Sequence, residues 1–265
     1  MIDFKKIKKV HLIGVGGIGM SALAAFLIHD KKIVSGSDLF ENENTIKLIN
    51  LGAKIIYGPH EAKNLPKNTE MVIFSSAVTP ESPERLEATK NNIPQFDYHE
   101  ALGMLTAGSK NLIVTGTHGK TTTTAMLASI LINTKFDPNV LVGSNTTLLD
   151  GNYRVGGENY YVLEGDEYKR GVEHLNPSVI LLNNVEWDHP DVYPTESSYF
   201  RMFQDFVNTL PSDGLFVCNA DDRLISDKFE MPSCRVSKFG IKNTQADLVA
   251  KNIKIAHSRQ IFKLI

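Results

Sequence analysis

Between Ile113 and Leu127 the chain reads IVTGTHGKTTTTAML. A short apolar run gives way to glycines, one lysine and four threonines, then resumes with helical spacing. Such a strand-to-helix turn has the parts that hold a nucleoside triphosphate. Backbone amides cradle the phosphates, the lysine reaches the β and γ groups, and a hydroxyl faces Mg2+. Gly119, Lys120 and Thr121 fit the end of the G-x-x-x-x-G-K-[ST] pattern, whereas Val114 stands where its first glycine would be and Gly116 takes that part. ATP with Mg2+ is therefore the expected ligand, and Gly116, Thr117, His118, Gly119, Lys120, Thr121 and Thr122 are the expected contacts. His118 is either a phosphate contact or a plain loop residue.

A triphosphate bound for chemistry also needs hard oxygen ligands for the metal. YYVLEGDEY places Glu164 just past an apolar strand, with Asp166 and Glu167 behind it. VILLNNVEWDHPDVY does the same from the next strand with Asn183, Asn184, Glu186, Asp188 and His189. Ligands of open α/β sheets gather at the carboxyl ends of strands, so Glu164 and His189 are the favoured functional pair. Asp191 and Asp222 read as solvated loop charges, and Trp187 and Tyr193 as packing residues.

A second phosphate loop lies near the N-terminus. GVGGIGMS follows an apolar strand and opens a helix, with Gly14, Gly16 and Gly19 in the G-x-G-x-x-G frame. Glycines there let amides approach a pyrophosphate at a helix N-terminus, where the dipole favours negative charge. Asp38 ends the next strand, 19 residues beyond Gly19, a spacing suited to a ribose hydroxyl. NAD, FAD and a sugar nucleotide all carry the pyrophosphate that this loop would take.

Short β-branched runs alternating with helical patterns position both loops, the signature of parallel βαβ units. The first series runs from VHLIGV to PQFD and forms a doubly wound, Rossmann-like unit; TAGSKN is a linker, and LIVTG starts a second α/β series. The expected domains are 1–108 and 109–265. The last stretch, ADLVAKNIKIAHSRQIFKLI, reads as two strands about a polar turn. A chain stopping inside an apolar strand is expected to be the N-terminal part of a longer protein.

Composition bounds the partners. With 28 basic and 30 acidic residues, nothing suggests a nucleic-acid or anionic-membrane surface, so anion binding must be local. The longest apolar run, ALAAFLI, is far short of the roughly 20 residues that span a bilayer. No signal or transit peptide precedes the first strand, and a cytoplasmic protein is expected. Cys218 and Cys234 lack metal-ligand spacing and read as buried free thiols.

Taken in order, GVGGIGMSALA, VSGSD, FSSAVTPESPE, GTHGKTTTTAML, EGDEY, NNVEWDHPDVY and NADD resemble the Mur ligase family of peptidoglycan precursor synthesis across most of the chain. The resemblance implies a Rossmann-like N-terminal domain that binds a UDP-sugar and a P-loop α/β central domain that binds ATP. Lys120 would contact the ATP phosphates, Thr121 and Glu164 would hold one Mg2+, and His189 would help to hold a second. Gly14, Gly16, Gly17, Gly19, Ser75 and Ser76 would lie against the UDP portion, with Asp38 nearby. The implied reaction joins L-alanine to the lactyl carboxylate of UDP-N-acetylmuramate through an acyl phosphate. The family's third domain, which binds the amino acid, has no counterpart here, and the fragment is not expected to turn over alone.

Two departures bear on the amino substrate. Gly165 stands where the family usually has alanine, and EYKRGVEHL differs from the usual stretch. LNNVEWDH is also similar to family members that recycle cell-wall tripeptide. Outside the family, a nicotinamide dehydrogenase would explain the first loop but not the second. A non-catalytic P-loop switch would explain the second loop but not the acids.

Overall fold

A computed structural model describes residues 3–149, 151–157, 159–256 and 259–265. The chain forms two compact units, Met1–Ala107 with Asn139–Gly157, and Gly108–Pro138 with Glu158–Ile265.

The first unit is built on five parallel strands: β1 (Lys9–Ile13), β2 (Ile33–Asp38), β3 (Lys54–Tyr57), β4 (Met71–Phe74) and β5 (Gln95–Asp97). Their order is β3-β2-β1-β4-β5, with Val10 opposite Val34 on one side and Met71 on the other. Central strands of such a sheet are covered on both faces, which is why β1 is buried almost throughout rather than alternating. The order reverses direction on either side of β1, so the carboxyl end of β1 opens on the crevice where α/β sheets bind ligands.

Helix α1 (Ile18–His29) has no polar face, and Met20 to Leu27 are all buried. A helix apolar all round needs cover on every side. Part of that cover comes from residues far along the chain. Strands β7 (Asn139–Thr146) and β8 (Gly151–Arg154) pair as an antiparallel hairpin. Asn152 Nδ2 donates to the Ile18 carbonyl at 3.0 Å, and the Tyr153 ring lies 6.1 Å from that of Phe26. The sequence reading keeps these residues in the second segment, and the strand order of that segment's sheet ends on them, β6-β9-β7-β8, although they group with the first compact unit. Helices α2 (Glu43–Asn50), α3 (Pro83–Lys90) and α4 (Tyr98–Leu105) complete the unit, with reciprocal capping boxes Asn42–Thr45 and Asp97–Glu100 fixing the starts of α2 and α4.

The second unit carries β6 (Lys110–Thr115), β9 (Tyr160–Glu164), β10 (Pro177–Leu182), β11 (Leu215–Asn219), β12 (Arg235–Gly240), β13 (Leu248–Ala256) and β14 (Arg259–Leu264). They run in the order β14-β13-β12-β11-β10-β6-β9, parallel except for β14 against β13. The two terminal strands match the sequence expectation; the polar turn between them lies outside the described residues. Helix α5 (Lys120–Asn133) follows β6 after the loop 116–119.

Helix α6 (Glu196–Val207) buries Tyr199, Met202, Phe203, Phe206 and Val207, the spacing of one helical face. Thr195 starts it through a capping box with Ser198. Thr195→Ala is expected to lower stability by about 1 kcal/mol, read from a urea unfolding curve. Helix α7 (Arg223–Lys228) is capped by Asp222. Cys218 and Cys234 are buried free thiols, and burial pushes the Cys218 thiol up to about 11, too high for a reactive thiolate at neutral pH. Among the described residues no helix is long and apolar enough to cross a membrane.

Candidate functional site

The loop between β6 and α5 is held from below by the end of β10. Thr117 N–H donates to the Asn184 carbonyl at 3.1 Å, and His118 N–H to Asn184 Oδ1 at 2.8 Å. Gly116 has φ +126°, and a Cβ there would lie 2.8 Å from the Asn184 carbonyl oxygen. Gly119, at φ +77°, caps α5. The first amides of a helix have no intrahelical partner, so those of Lys120, Thr121 and Thr122 form a donor set with the dipole behind it.

Lys120 Nζ lies 2.9 Å from the Gly116 carbonyl, 3.1 Å from that of Thr117 and 2.9 Å from Glu167 Oε1. The ammonium is thus folded over its own loop. Thr121 Oγ1 donates to Glu164 Oε1 at 2.9 Å, which brings together two residues expected to share a metal. Thr122 is exposed on the first turn.

Thr117 is turned the other way. It is buried, with Oγ1 donating to the Glu186 carbonyl at 2.8 Å and lying 3.1 Å from Tyr199 Oη. Its side chain fastens the loop to Tyr199 of α6 and to the Glu186 carbonyl. The His118 ring is largely exposed, with Nε2 3.1 Å from Glu186 Oε2.

Glu167 was only a follower of Glu164 in the sequence, yet it anchors the site. Its side chain is 2% exposed. Oε1 receives Lys120 and lies 3.4 Å from Tyr199 Oη and 3.6 Å from His189 Nε2. Oε2 is buried with no hydrogen-bond partner among the described residues. Burial pushes this carboxyl above its usual value, and the Lys120 ammonium pulls against that rise. Burial also raises the Tyr199 phenol, and it pushes that of Tyr193 up to about 12, so both stay protonated as donors.

His189 has φ +53° and lies beside Glu167 and Asp188, its ring 5.0 Å from that of Tyr168. No group of three or more His, Cys, Asp or Glu side chains among the described residues is arranged to cage a metal. Two residues read as solvated charges have structural partners. Asp222 takes the amides of Val185 and Ile225, and Asp191 takes the hydroxyl of Tyr168 at 3.1 Å. Tyr193 is buried as expected, whereas Trp187 is half exposed, its Nε1 donating to the Tyr193 carbonyl.

The first loop, in the other unit, hangs on the end of β2. Gly14 and Val15 amides both donate to the Ser37 carbonyl, at 2.9 and 3.1 Å, and the Gly16 amide donates to Asp38 Oδ2 at 2.7 Å. Asp38 is therefore part of the loop's own frame. The glycines serve different ends. Gly14, at φ +75°, lies against Ser75, whereas a Cβ on Gly16 would meet Asn42 Nδ2 at 2.5 Å and one on Gly19 would meet Tyr98 at 2.7 Å. Gly17 N-caps α1, and Ser76 is exposed on the turn after β4. Asn42, Asn44 and Tyr98 were missed by sequence reasoning, having no motif to mark them; Asn44 Nδ2 donates to the Gly16 carbonyl at 3.0 Å.

Known proteins bear on this pair of loops. Residues 9–110 match the Mur ligase family catalytic domain, and residues 114–265 match the Mur ligase middle domain. UDP-N-acetylmuramate--L-alanine ligases of Clostridium perfringens and Clostridium tetani are 39% and 40% identical over 93% and 95% of this chain. The chain spans about half the length of these relatives, 53% and 55%. Among solved structures, UDP-N-acetylmuramate-alanine ligase MurC from Thermotoga maritima superposes with a TM-score of 0.82 at 30% identity, covering 97% of this chain and 57% of that one. UDP-N-acetylmuramate:L-alanyl-gamma-D-glutamyl-meso-diaminopimelate ligase from Neisseria meningitides gives 0.86 at 25% identity, covering 98% and 84%. With both of its loops inside matched domains, this chain belongs to the Mur ligase family.

Proposed function

We propose that the chain is the part of an ATP-dependent amide ligase that binds UDP-N-acetylmuramate and ATP, the complete protein joining L-alanine to the lactyl carboxylate. Residues 1–108 hold the sugar nucleotide through Gly14, Gly16, Gly17 and Gly19, with Asp38, Ser75 and Ser76 around them. Residues 109–265 hold ATP. One observation carries this reading: Lys120 and Thr121 open α5 against Glu167 and Glu164, a lysine and a hydroxyl each set on an acid. The Clostridium relatives supply the substrates by likeness.

A carboxylate does not condense with an amine unaided. Its oxygen attacks the γ-phosphorus, the bond to ADP breaks, and the resulting acyl phosphate offers phosphate as a leaving group. The amine then attacks the carbonyl carbon, loses a proton, and phosphate departs. Lys120 neutralises charge on the transferring phosphoryl group and the α5 amides orient it, since phosphoryl transfer depends on positioning and electrostatics.

Thr121 Oγ1 and Glu164 Oε1, already in contact, are hard oxygen donors suited to Mg2+, which takes one or two protein ligands beside phosphate oxygens and waters. His189 and the unpartnered Glu167 Oε2 stand together as the candidate neighbours of a second ion. When bound, Mg2+ would offset charge on the β and γ phosphates. Both nucleotides are cytoplasmic metabolites, and the reading places the activity there.

Calorimetric titration of the chain with UDP-N-acetylmuramate, ATP-Mg2+ and NAD tests the assignment. Binding of the first two without the third is expected; NAD binding in place of the sugar nucleotide would turn the first loop into a dehydrogenase site. Gly16→Ala should weaken the sugar nucleotide roughly tenfold, about 1.4 kcal/mol, and leave ATP unchanged. The Neisseria structure favours a second reading of the amino substrate, a peptide instead of L-alanine. ADP release by the complete protein with each acceptor separates the two.

A further inference from the structure

The first unit buries a cluster that the reaction above does not use. Glu84, in the first turn of α3, has no exposed surface. Its Oε2 lies 2.7 Å from His11 Nε2 and its Oε1 lies 2.7 Å from His60 Nδ1. The Ser37 hydroxyl donates to both oxygens, at 2.8 and 2.9 Å. His11 is fully buried too, with Nδ1 2.9 Å from Ser35 Oγ. A dry carboxylate is costly unless its lone pairs are filled, and here three side chains fill them. Burial pushes the Glu84 carboxyl up, but the bonds from His11, His60 and Ser37 outweigh it and hold the group below its usual value.

The cluster joins four segments at one group: β1 through His11, β2 through Ser37, the turn after β3 through His60, and α3 through Glu84. Ser37 is also the residue whose carbonyl takes the amides of Gly14 and Val15, and its neighbour Asp38 takes that of Gly16. Three consecutive amides of the first glycine loop therefore depend on where residues 37 and 38 stand. The Ser37 side chain is fixed by Glu84 and touches His60 Nδ1 at 3.3 Å.

We propose that Glu84 is a positioning residue for the first glycine loop: clamped between His11 and His60, it fixes Ser37, and through Ser37 it holds the loop in the form that receives the diphosphate of a sugar nucleotide. This rests on the assignment of that loop to UDP-N-acetylmuramate. Glu84→Gln keeps the volume but turns one acceptor into a donor, so one of the facing histidines or Ser37 loses its partner. Ser37→Ala cuts the direct link between Glu84 and β2, leaving Glu84, His11 with its Ser35 bond, and His60 in place.

The test is calorimetric titration of the wild-type chain, Glu84→Gln and Ser37→Ala with UDP-N-acetylmuramate and, separately, ATP-Mg2+, with thermal midpoints recorded for each. The sugar nucleotide should bind roughly tenfold more weakly to Glu84→Gln and several-fold more weakly to Ser37→Ala, while ATP affinity stays within about twofold of wild type. Wild-type and variant chains binding the sugar nucleotide equally would overturn the proposal alone. Parallel loss of both ligands marks a general folding role and overturns it as well. If Glu84→Gln does not fold, Ser37→Ala decides. A wild-type chain that fails to bind the sugar nucleotide overturns the loop's assignment, and the proposal with it.

Discussion

Lys120→Ala in the complete enzyme should cut ADP release by about 10²- to 10³-fold, the usual cost of removing one preorganised charge from a transferring group, while UDP-N-acetylmuramate binding persists. The expectation follows from where the ammonium sits. It contacts two carbonyls of its own loop and the buried Glu167 carboxyl, and its residue opens α5, whose first amides have no intrahelical partner. A triphosphate seated on those amides brings its β and γ oxygens to the same cation. Without the lysine, the buried Glu167 carboxyl would lose its closest cation and keep only the more distant His189 beside Oε1, a further penalty against binding an anion nearby. The proposal assigns the sugar nucleotide to the other unit, so its affinity, read by calorimetry, is the internal control. Turnover equal to wild type would remove the ATP assignment of this loop.

How much of this was legible in the sequence depends on how local each feature is. The placement of Gly116, Gly119, Lys120 and Thr121 between β6 and α5 could be read because the pattern is a contiguous strand-turn-helix, and that of Glu164 because an apolar run before it marks a strand end. Glu167 was passed over: it lies only three residues beyond Glu164, but its role is set by Lys120 on another element and by Tyr199 on α6. Thr117 looked like a phosphate contact because its place in the motif is shared with residues that are; the tie to Tyr199, 82 positions away, turns its side chain inward. In the first unit the glycine frame was readable, but the pairing of His11 with Glu84 spans 73 positions and carries no motif. The β7-β8 hairpin reads with its sequence neighbours and does continue their strand order beyond β9, but its bond to the start of α1 spans 134 positions and carries no motif. Asp222 shows the same limit in small: its acid looked solvated until the amides of Val185 and Ile225 were brought to it.

Gly116→Ala should be the most damaging single-methyl change in the second unit, weakening ATP binding by at least about tenfold and lowering stability by about 1–3 kcal/mol through backbone strain alone. Its φ of +126° lies well outside the left-handed region that some side chains tolerate. The added Cβ would also meet backbone on the β10 side, 2.8 Å from the Asn184 oxygen, 3.1 Å from its nitrogen and 3.2 Å from that of Asn183. Those atoms cannot yield cheaply. Asn183 N–H donates to the Thr115 carbonyl, the Asn183 carbonyl accepts from Asn219 Nδ2, and Val185 N–H is held by Asp222. The loop itself must therefore move, taking the Thr117 and Lys120 anchors with it. Gly119→Ala is the contrast: φ is +77°, and the nearest atom to its Cβ is the side-chain Nδ2 of Asn183 at 3.4 Å, so a loss of only about 1 kcal/mol is expected. Calorimetry with ATP-Mg2+ and urea unfolding of both variants give the ranking. A Gly116→Ala chain that binds ATP as tightly as Gly119→Ala would show that the contact with Asn184 does not set the loop.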